Sequence, residues 1–159
     1  MTKKIKFYDT SSLLLKANNL FEDEEKFVIS SITLEELENI KTSSNKDPDI
    51  KYSARKLTHL LDEHIGEYDV EIYNAELDKP ILKAGIFMNN DAKILACAVN
   101  YKTKNKTDVE FITNDICLKH LARLFFDIVE SVEEDNDDYT GYKDVIMTNE
   151  EMAYFYSNQ

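Results

Sequence analysis

IKFYDTSSLLL, residues 5–15, is the stretch whose reading decides the fold. Ile5 to Tyr8 is a short β-prone run that ends on a carboxylate, Asp9. A Thr-Ser-Ser cluster follows, and then the apolar Leu13, Leu14 and Leu15, so the order reads as strand, carboxylate, helix. The same order returns near the other end in VEFITNDICLKHLARL, residues 109–124, where Val109 to Thr113 reads as a core strand and Asn114-Asp115 caps a helix.

Between these two units the pattern repeats with variations. Phe27 to Ser31 reads as a second strand, after which Thr33 caps a helix with Glu36 at capping-box spacing and Leu34, Leu37 and Ile40 on one face. KTSSNKDPD, residues 41–49, is polar and contains Pro48, and reads as an exposed loop. From Ile50 to Ile65 the apolar spacing predicts a helix that Gly66 ends, followed by a strand over Val70 to Tyr73. Pro80 is placed to open a helix through Phe87. Asn89-Asn90-Asp91 caps the buried run AKILACAV, a basic loop KTKNK follows, and Phe126 to Val129 reads as a last strand. Strands alternating with helices imply a three-layer α/β/α fold with a mostly parallel central sheet.

At 159 residues, 43% of them hydrophobic, the chain has the size and apolar content of one domain. We expect that domain over residues 1–132. EEDNDD opens an acidic linker and tail over residues 133–159, whose aromatic residues are placed to pack on the domain or a neighbour. No segment approaches the apolar length of a bilayer crossing, so no membrane partner is expected and a cytoplasmic location is. Cys97 and Cys117 lie in apolar contexts without metal or disulfide spacing and read as buried hydrophobes in a reducing compartment. His59, His64 and His120 likewise lack metal-site spacing. A formal net charge of −12 repels polyanions within a Debye length of roughly 8 to 10 Å, yet carboxylates that hold divalent cations reverse the local sign.

In an open parallel sheet ligands bind beyond the carboxyl ends of the strands, where Asp9 and Asp115 stand. Glu36 on the first turn after strand two and Asp91 at a helix start can face the same edge. Read singly, Asp9, Asp91 and Asp115 are helix caps and Glu36 a capping-box partner. Read together, four carboxylates repel one another unless a hard cation such as Mg²⁺ or Mn²⁺ joins them. Such a cation lowers the pKa of a bound water and stabilises the leaving oxygen of a phosphodiester. Thr10, Ser11 and Thr113 flank the carboxylates and can orient a ligand carboxylate or water.

FYDTSSLLL, ISSITLEELENIK, NNDAKILACA and FITNDICLKHLA resemble, in order, the four motifs of PIN-domain nucleases, from residue 7 to residue 122. The resemblance implies that Asp9, Glu36, Asp91 and Asp115 are the catalytic and metal-holding positions of a Mg²⁺- or Mn²⁺-dependent nuclease. By it Glu36, directly before Leu37, is favoured over Glu35. It implies RNA, or single-stranded nucleic acid, as the substrate. It is closest to the PIN domain found ahead of PhoH-type ATPases, including the tail DYTGYKDVIMTNEEMAYFY, which implies an ATPase domain in a longer chain. No GxxxxGK[ST] phosphate loop occurs here. Family members often carry a further acid shortly after the Asp115 position, where this chain has Ile116, Cys117 and Leu118.

The basic stretches available to a nucleic-acid backbone are Lys41, Lys46, Lys51, Arg55 and Lys56, with Lys102, Lys104 and Lys106. A catalytically weak RNA- or partner-binding module with the same fold stays open as an alternative. A phosphatase using an aspartyl phosphate ranks last, because Asp9-Thr10-Ser11 lacks the second aspartate of that pattern. Self-association into a homo-oligomer is left open.

Overall fold

Eleven elements follow one another along a computed structural model that describes residues 4–22 and 25–133. They are β1 (Lys4–Tyr8), α1 (Thr10–Lys16), β2 (Phe27–Ser30), α2 (Ser31–Thr42), α3 (Pro48–Glu63) and β3 (Tyr68–Glu71), then α4 (Lys79–Lys83), α5 (Asn90–Asn105), β4 (Asp108–Ile112), α6 (Ile116–Ala122) and β5 (Ile128–Glu130). Short 3₁₀ turns at Ala17–Asn19 and Ala75–Asp78 extend α1 and lead into α4.

The five strands form one sheet in the order β3-β2-β1-β4-β5, and every pairing is parallel. The chain first builds outward from β1 to β3, then returns to lay β4 on the free side of β1. Strand order therefore reverses between β1 and β4, and a crevice opens beyond their carboxyl ends. The β1–β4 register runs from Lys4 opposite Asp108 to Tyr8 opposite Ile112, so the residues just past each strand emerge side by side.

Pleating sends alternate residues to opposite faces, and each face has its own core. Phe7, Val28 and Phe111 pack beneath α4, α5 and α6 with Ile81, Ile94, Leu95 and Leu118. Tyr8, Phe27, Ile29 and Ile112 pack beneath α1, α2 and α3 with Leu13, Leu37, Ile40, Leu57 and Leu61. Burying an aliphatic or aromatic side chain of this size stabilises by roughly 1.5 to 3 kcal/mol, so the two cores carry the three layers. Phe111 stacks between Phe7 and Phe126, at 6.1 and 5.5 Å between ring centroids, and fastens β4 to β1 and to the segment before β5.

The three-layer α/β/α expectation holds, with a sheet that is wholly parallel. Local boundaries differ where side-chain chemistry competes. Ser30, not Thr33, caps α2, accepting from the Ile32 amide at 3.0 Å, so Thr33 lies buried within the first turn. The Pro80 helix is only Lys79–Lys83, because Gly85 at φ 85° turns the chain away. KTKNK is not a loop: α5 runs through Asn105 and stops at Lys106. Cys97 is buried as expected, but Cys117 is exposed on the outer side of α6. The acidic linker and tail from residue 134 onward lie outside the described residues. Among the described residues no helix is long and apolar enough to cross a membrane.

Lys106 ends α5 in the left-handed region at φ 50°, a conformation costing an L residue about 1 kcal/mol and glycine nothing. Lys106→Gly is expected to raise the free energy of unfolding by a few tenths to about 1 kcal/mol in urea denaturation, with an unchanged slope.

Candidate metal centre

Asp9 leaves β1 at the crevice and turns the chain into α1. It does so as the helix cap: Oδ1 accepts from the Ser12 amide at 2.9 Å. Its backbone amide donates to the Ile112 carbonyl at 3.0 Å, tying it to the end of β4. Oδ2 accepts from the Thr113 hydroxyl at 2.5 Å, and Ser11 Oγ lies 3.0 Å away from the same oxygen. Ser12 Oγ, fully buried, stands 2.7 Å from Oδ1 and 2.8 Å from the Ile112 carbonyl. Burial raises the Asp9 pKa, and the donors from Thr113, Ser12 and Ser11 oppose the rise. The carboxylate is thus held by three hydroxyls and a backbone amide.

Glu36 reaches the edge from the second turn of α2 and is buried, whereas Glu35 is exposed. The capping-box expectation fails here, because the partner of Glu36 is Thr10, whose Oγ1 donates to Oε1 at 2.5 Å. Thr33 Oγ1 is 3.1 Å from Thr10 Oγ1 and completes the hydroxyl chain. Burial raises the Glu36 pKa first. The Thr10 hydroxyl lowers it, the charge of Asp9 raises it, and the Asn90 side chain and the charge of Lys46 lower it.

Asp91 is not the cap of α5. That role falls to Asn89, whose Oδ1 accepts from the Ala92 amide at 2.8 Å. Asp91 sits in the first turn, the second residue of α5, and keeps part of its surface open to solvent. Its carboxyl group is nevertheless pushed up to about 8, by desolvation first, then by the charges of Asp9, Asp115 and Glu36, and by a hydrogen bond with Asp115. Asp115 closes the ring of four from the end of β4, capping α6 through the Leu118 amide at 3.2 Å, with the Thr113 hydroxyl accepting from its own amide at 3.1 Å.

All four sequence-predicted acids therefore converge on one edge, and each of Thr10, Ser11 and Thr113 touches one of them or its backbone. Ser12, Asn90 and Lys46 also belong to the site. Ser12 was hidden in a cluster that reads as turn chemistry, and Asn90 in one that reads as a cap. The approach of Lys46 to Glu36 depends on how the loop between α2 and α3 folds back, which no local pattern reports. Burial lowers the Lys46 pKa and the Glu36 charge raises it.

Lys46 is the basic candidate that comes to the site, beside Glu36, and the others fall elsewhere. Lys102 and Lys104 lie along α5 about 16 and 20 Å from Asp91 at the helical rise. Lys102 Nζ donates to the Phe125 carbonyl at 2.9 Å and stands over the Phe126 ring, while Lys104 pairs with the buried Glu71 at 2.7 Å. On α3, Arg55 is exposed, Lys51 is half-buried, and Lys56 donates to Asn18 at 2.6 Å. Lys41 pairs with Glu38 at 3.1 Å.

Among the described residues no group of three or more His, Cys, Asp or Glu stands close enough together to hold a metal ion as the side chains are placed. What the edge holds is four carboxylates drawn together, with the Asp91 carboxyl pushed up to about 8 by burial first and then by the charges of Asp9, Asp115 and Glu36. The donors are oxygens, without thiol or imidazole, which is the chemistry a hard divalent cation requires. The residues fit such an ion.

A family model described as PIN domain matches residues 7–125. Among solved structures, the chain is similar to one described as "Crystal structure of VapBC2 from Rickettsia felis bound to a DNA fragment from their promoter". The two are 20% identical with a TM-score of 0.49, and the match covers 81% of this chain and 100% of that one. No curated protein matches.

The raised pKa values carry a pH dependence whose sign is fixed. Folded Asp91 binds a proton up to about pH 8, whereas its unfolded form loses it near 3.8, so the folded state holds more protons between those limits. In EDTA, stability is expected to fall as pH rises from about 5 to about 8. Asp91→Asn is expected to flatten that slope, and Mn²⁺ to raise the melting temperature more at pH 8 than at pH 6. Thermal melts across pH check all three.

Proposed function

The chain belongs to the PIN-domain family, and from that premise we propose that it is a divalent-metal-dependent nuclease that hydrolyses phosphodiester bonds in single-stranded RNA. The observation that carries this reading is the convergence of Asp9, Glu36, Asp91 and Asp115 on one sheet edge, where burial first and then the charges of the other three push the Asp91 carboxyl up to about 8. A structural role for four converging acids would leave that repulsion standing at a cost in stability. A cation-holding role turns it into affinity.

Asp9, Glu36, Asp91 and Asp115 would hold Mg²⁺ or Mn²⁺. A divalent cation there would supply positive charge to the scissile phosphate and lower the pKa of the attacking water. The chain's own groups prepare for it. Thr113, Ser11 and Ser12 hold Asp9, so one carboxylate is aimed before any ligand arrives. Thr10 and Asn90 do the same for Glu36. Asp91 and Asp115 share a hydrogen bond, and a positive charge beside Asp91 would favour its ionised form. Lys46 brings a cation to the rim beside Glu36 and is placed to meet a phosphate. Lys51 and Arg55 on α3 are the next candidates along a strand.

The finer relation to PIN domains that precede PhoH-type ATPases rests on the tail, which lies outside the described residues. A second reading, a PIN-fold module that binds RNA without cutting it, is favoured by one observation. Ile116 and Cys117, both exposed, stand where family members often carry a further acid.

Cleavage of end-labelled single-stranded RNA tests the proposal. Wild type is expected to cut with Mg²⁺ or Mn²⁺ and not with EDTA. Asp115→Asn is expected to lose at least about 100-fold in rate while keeping a cooperative melt. Metal-independent cutting, or full activity in the variant, would overturn it, and binding without cutting would favour the second reading.

A further inference from the structure

Lys56 on α3 donates to the side-chain oxygen of Asn18 at 2.6 Å, and that bond sets the register between two helices. α1 leaves the carboxyl end of β1 at Asp9, whereas α3 ends beside the first residue of β3, where the Tyr68 hydroxyl donates to the Leu61 carbonyl at 2.8 Å. Both helices therefore run from the carboxyl edge of the sheet towards its amino edge. They pack against each other, with Leu13, Ala17, Leu57 and Leu61 in one core. Asn18 lies nine residues past Asp9, about 14 Å along α1 and its 3₁₀ extension, and Lys56 lies eight residues past Pro48, about 12 Å along α3. The start of α3 is thus about level with Asp9.

One turn nearer the edge, each helix carries an exposed apolar side chain. Leu15, 38% exposed, stands three residues before Asn18, and Tyr52, 62% exposed, stands four residues before Lys56. Residues three or four apart share a helix face, so both lie on the flanks that the Lys56–Asn18 bond joins. A turn further up α1 comes Ser11, whose hydroxyl lies 3.0 Å from Asp9 Oδ2. The seam between the helices therefore climbs from Lys56 past Leu15 and Tyr52 to the carboxylate edge. Its charge differs from that of the whole molecule: between Asp49 and Asp62 α3 carries Lys51, Arg55 and Lys56 and no acid, in a chain of net charge −12. Lys51 and Arg55 enter no ion pair among the described residues, and Lys56 is held by a neutral amide.

We propose that the seam between α1 and α3 is the track on which single-stranded RNA approaches the metal centre, with a base stacked on the Tyr52 ring beside Leu15 and the phosphates met by Lys51, Arg55 and Lys56. The proposal rests on the nuclease reading for its choice of polyanion. Each nucleotide of an unpaired strand brings one flat uncharged base and one anionic phosphate, and the seam offers apolar side chains one turn away from cations. Arg55 follows Lys51 by one turn, about 6 Å along the helix, so the two cations can serve successive phosphates. A duplex keeps its bases stacked on one another and leaves Tyr52 and Leu15 without a partner.

The chain contains no tryptophan, so Tyr52→Trp places a unique fluorophore in the seam. With Ca²⁺ as the added cation, a single-stranded RNA of about ten nucleotides is expected to quench it, and an abasic strand of the same length is not. Tyr52→Ala is expected to weaken RNA binding roughly 5- to 100-fold by fluorescence anisotropy, with an unchanged melting temperature because the ring is exposed, while Tyr52→Phe binds as wild type. Arg55→Gln is expected to lower the slope of log affinity against log salt by about 1. Wild-type affinity in Tyr52→Ala, equal quenching by both strands, or binding of RNA without quenching overturns the proposal. So does a dimer in sedimentation that Tyr52→Ala dissolves, which assigns the seam to a second copy of the chain. Wild-type cleavage without quenching removes the track alone. Quenching without wild-type cleavage keeps the track and removes the nuclease reading, and no association with RNA removes both.

Discussion

Mutual repulsion among four carboxylates at one sheet edge is the constraint around which this molecule is arranged. Parallel pairing of β1 with β4, in a register that ends with Tyr8 opposite Ile112, delivers Asp9 and Asp115 to the same crevice. The starts of α2 and α5 bring Glu36 and Asp91 to meet them. Burial first, and then the charges of Asp9, Asp115 and Glu36, raise the Asp91 carboxyl to about 8. Nothing in the two cores requires this. Phe7, Phe111, Leu37 and Leu95 would pack as well beneath a neutral edge.

The surrounding hydroxyls make the arrangement tolerable and useful at once. Thr113, Ser11 and Ser12 converge on Asp9, and Thr10 on Glu36, so two of the acids keep hydrogen bonds that offset the loss of water. Those bonds also fix the direction of the carboxylates, which a ligand would otherwise have to order at an entropic cost.

Much of this was legible in the sequence because it depends on short-range pattern. IKFYD and VEFITND each place a carboxylate directly after a β run, and parallel topology does the rest. The alternation of strand and helix predicted three layers. The features that escaped depend on contacts between distant segments. Thr33 looks like a cap until Ser30 takes the role, and Glu36 then pairs with Thr10, twenty-six residues away, instead of with its own helix start. Lys46 and Glu36 meet through loop folding. Cys117 sits in an apolar-looking heptad, yet α6 is only seven residues long and buries one stripe, Leu118 and Ala122, leaving the thiol outside. Lys102 and Lys104 read as a basic loop because α5 continues a full turn further than its apolar run, ending where Lys106 adopts a left-handed conformation.

The measurement closest to the central claim is anomalous X-ray diffraction from crystals grown or soaked with Mn²⁺. The account expects a peak at the β1–β4 crevice, with Asp9 and at least one of Glu36, Asp91 and Asp115 coordinating through oxygens at about 2 Å. A crystal that takes up Mn²⁺ at other sites while this edge stays empty, its carboxylates still sharing protons, would contradict it.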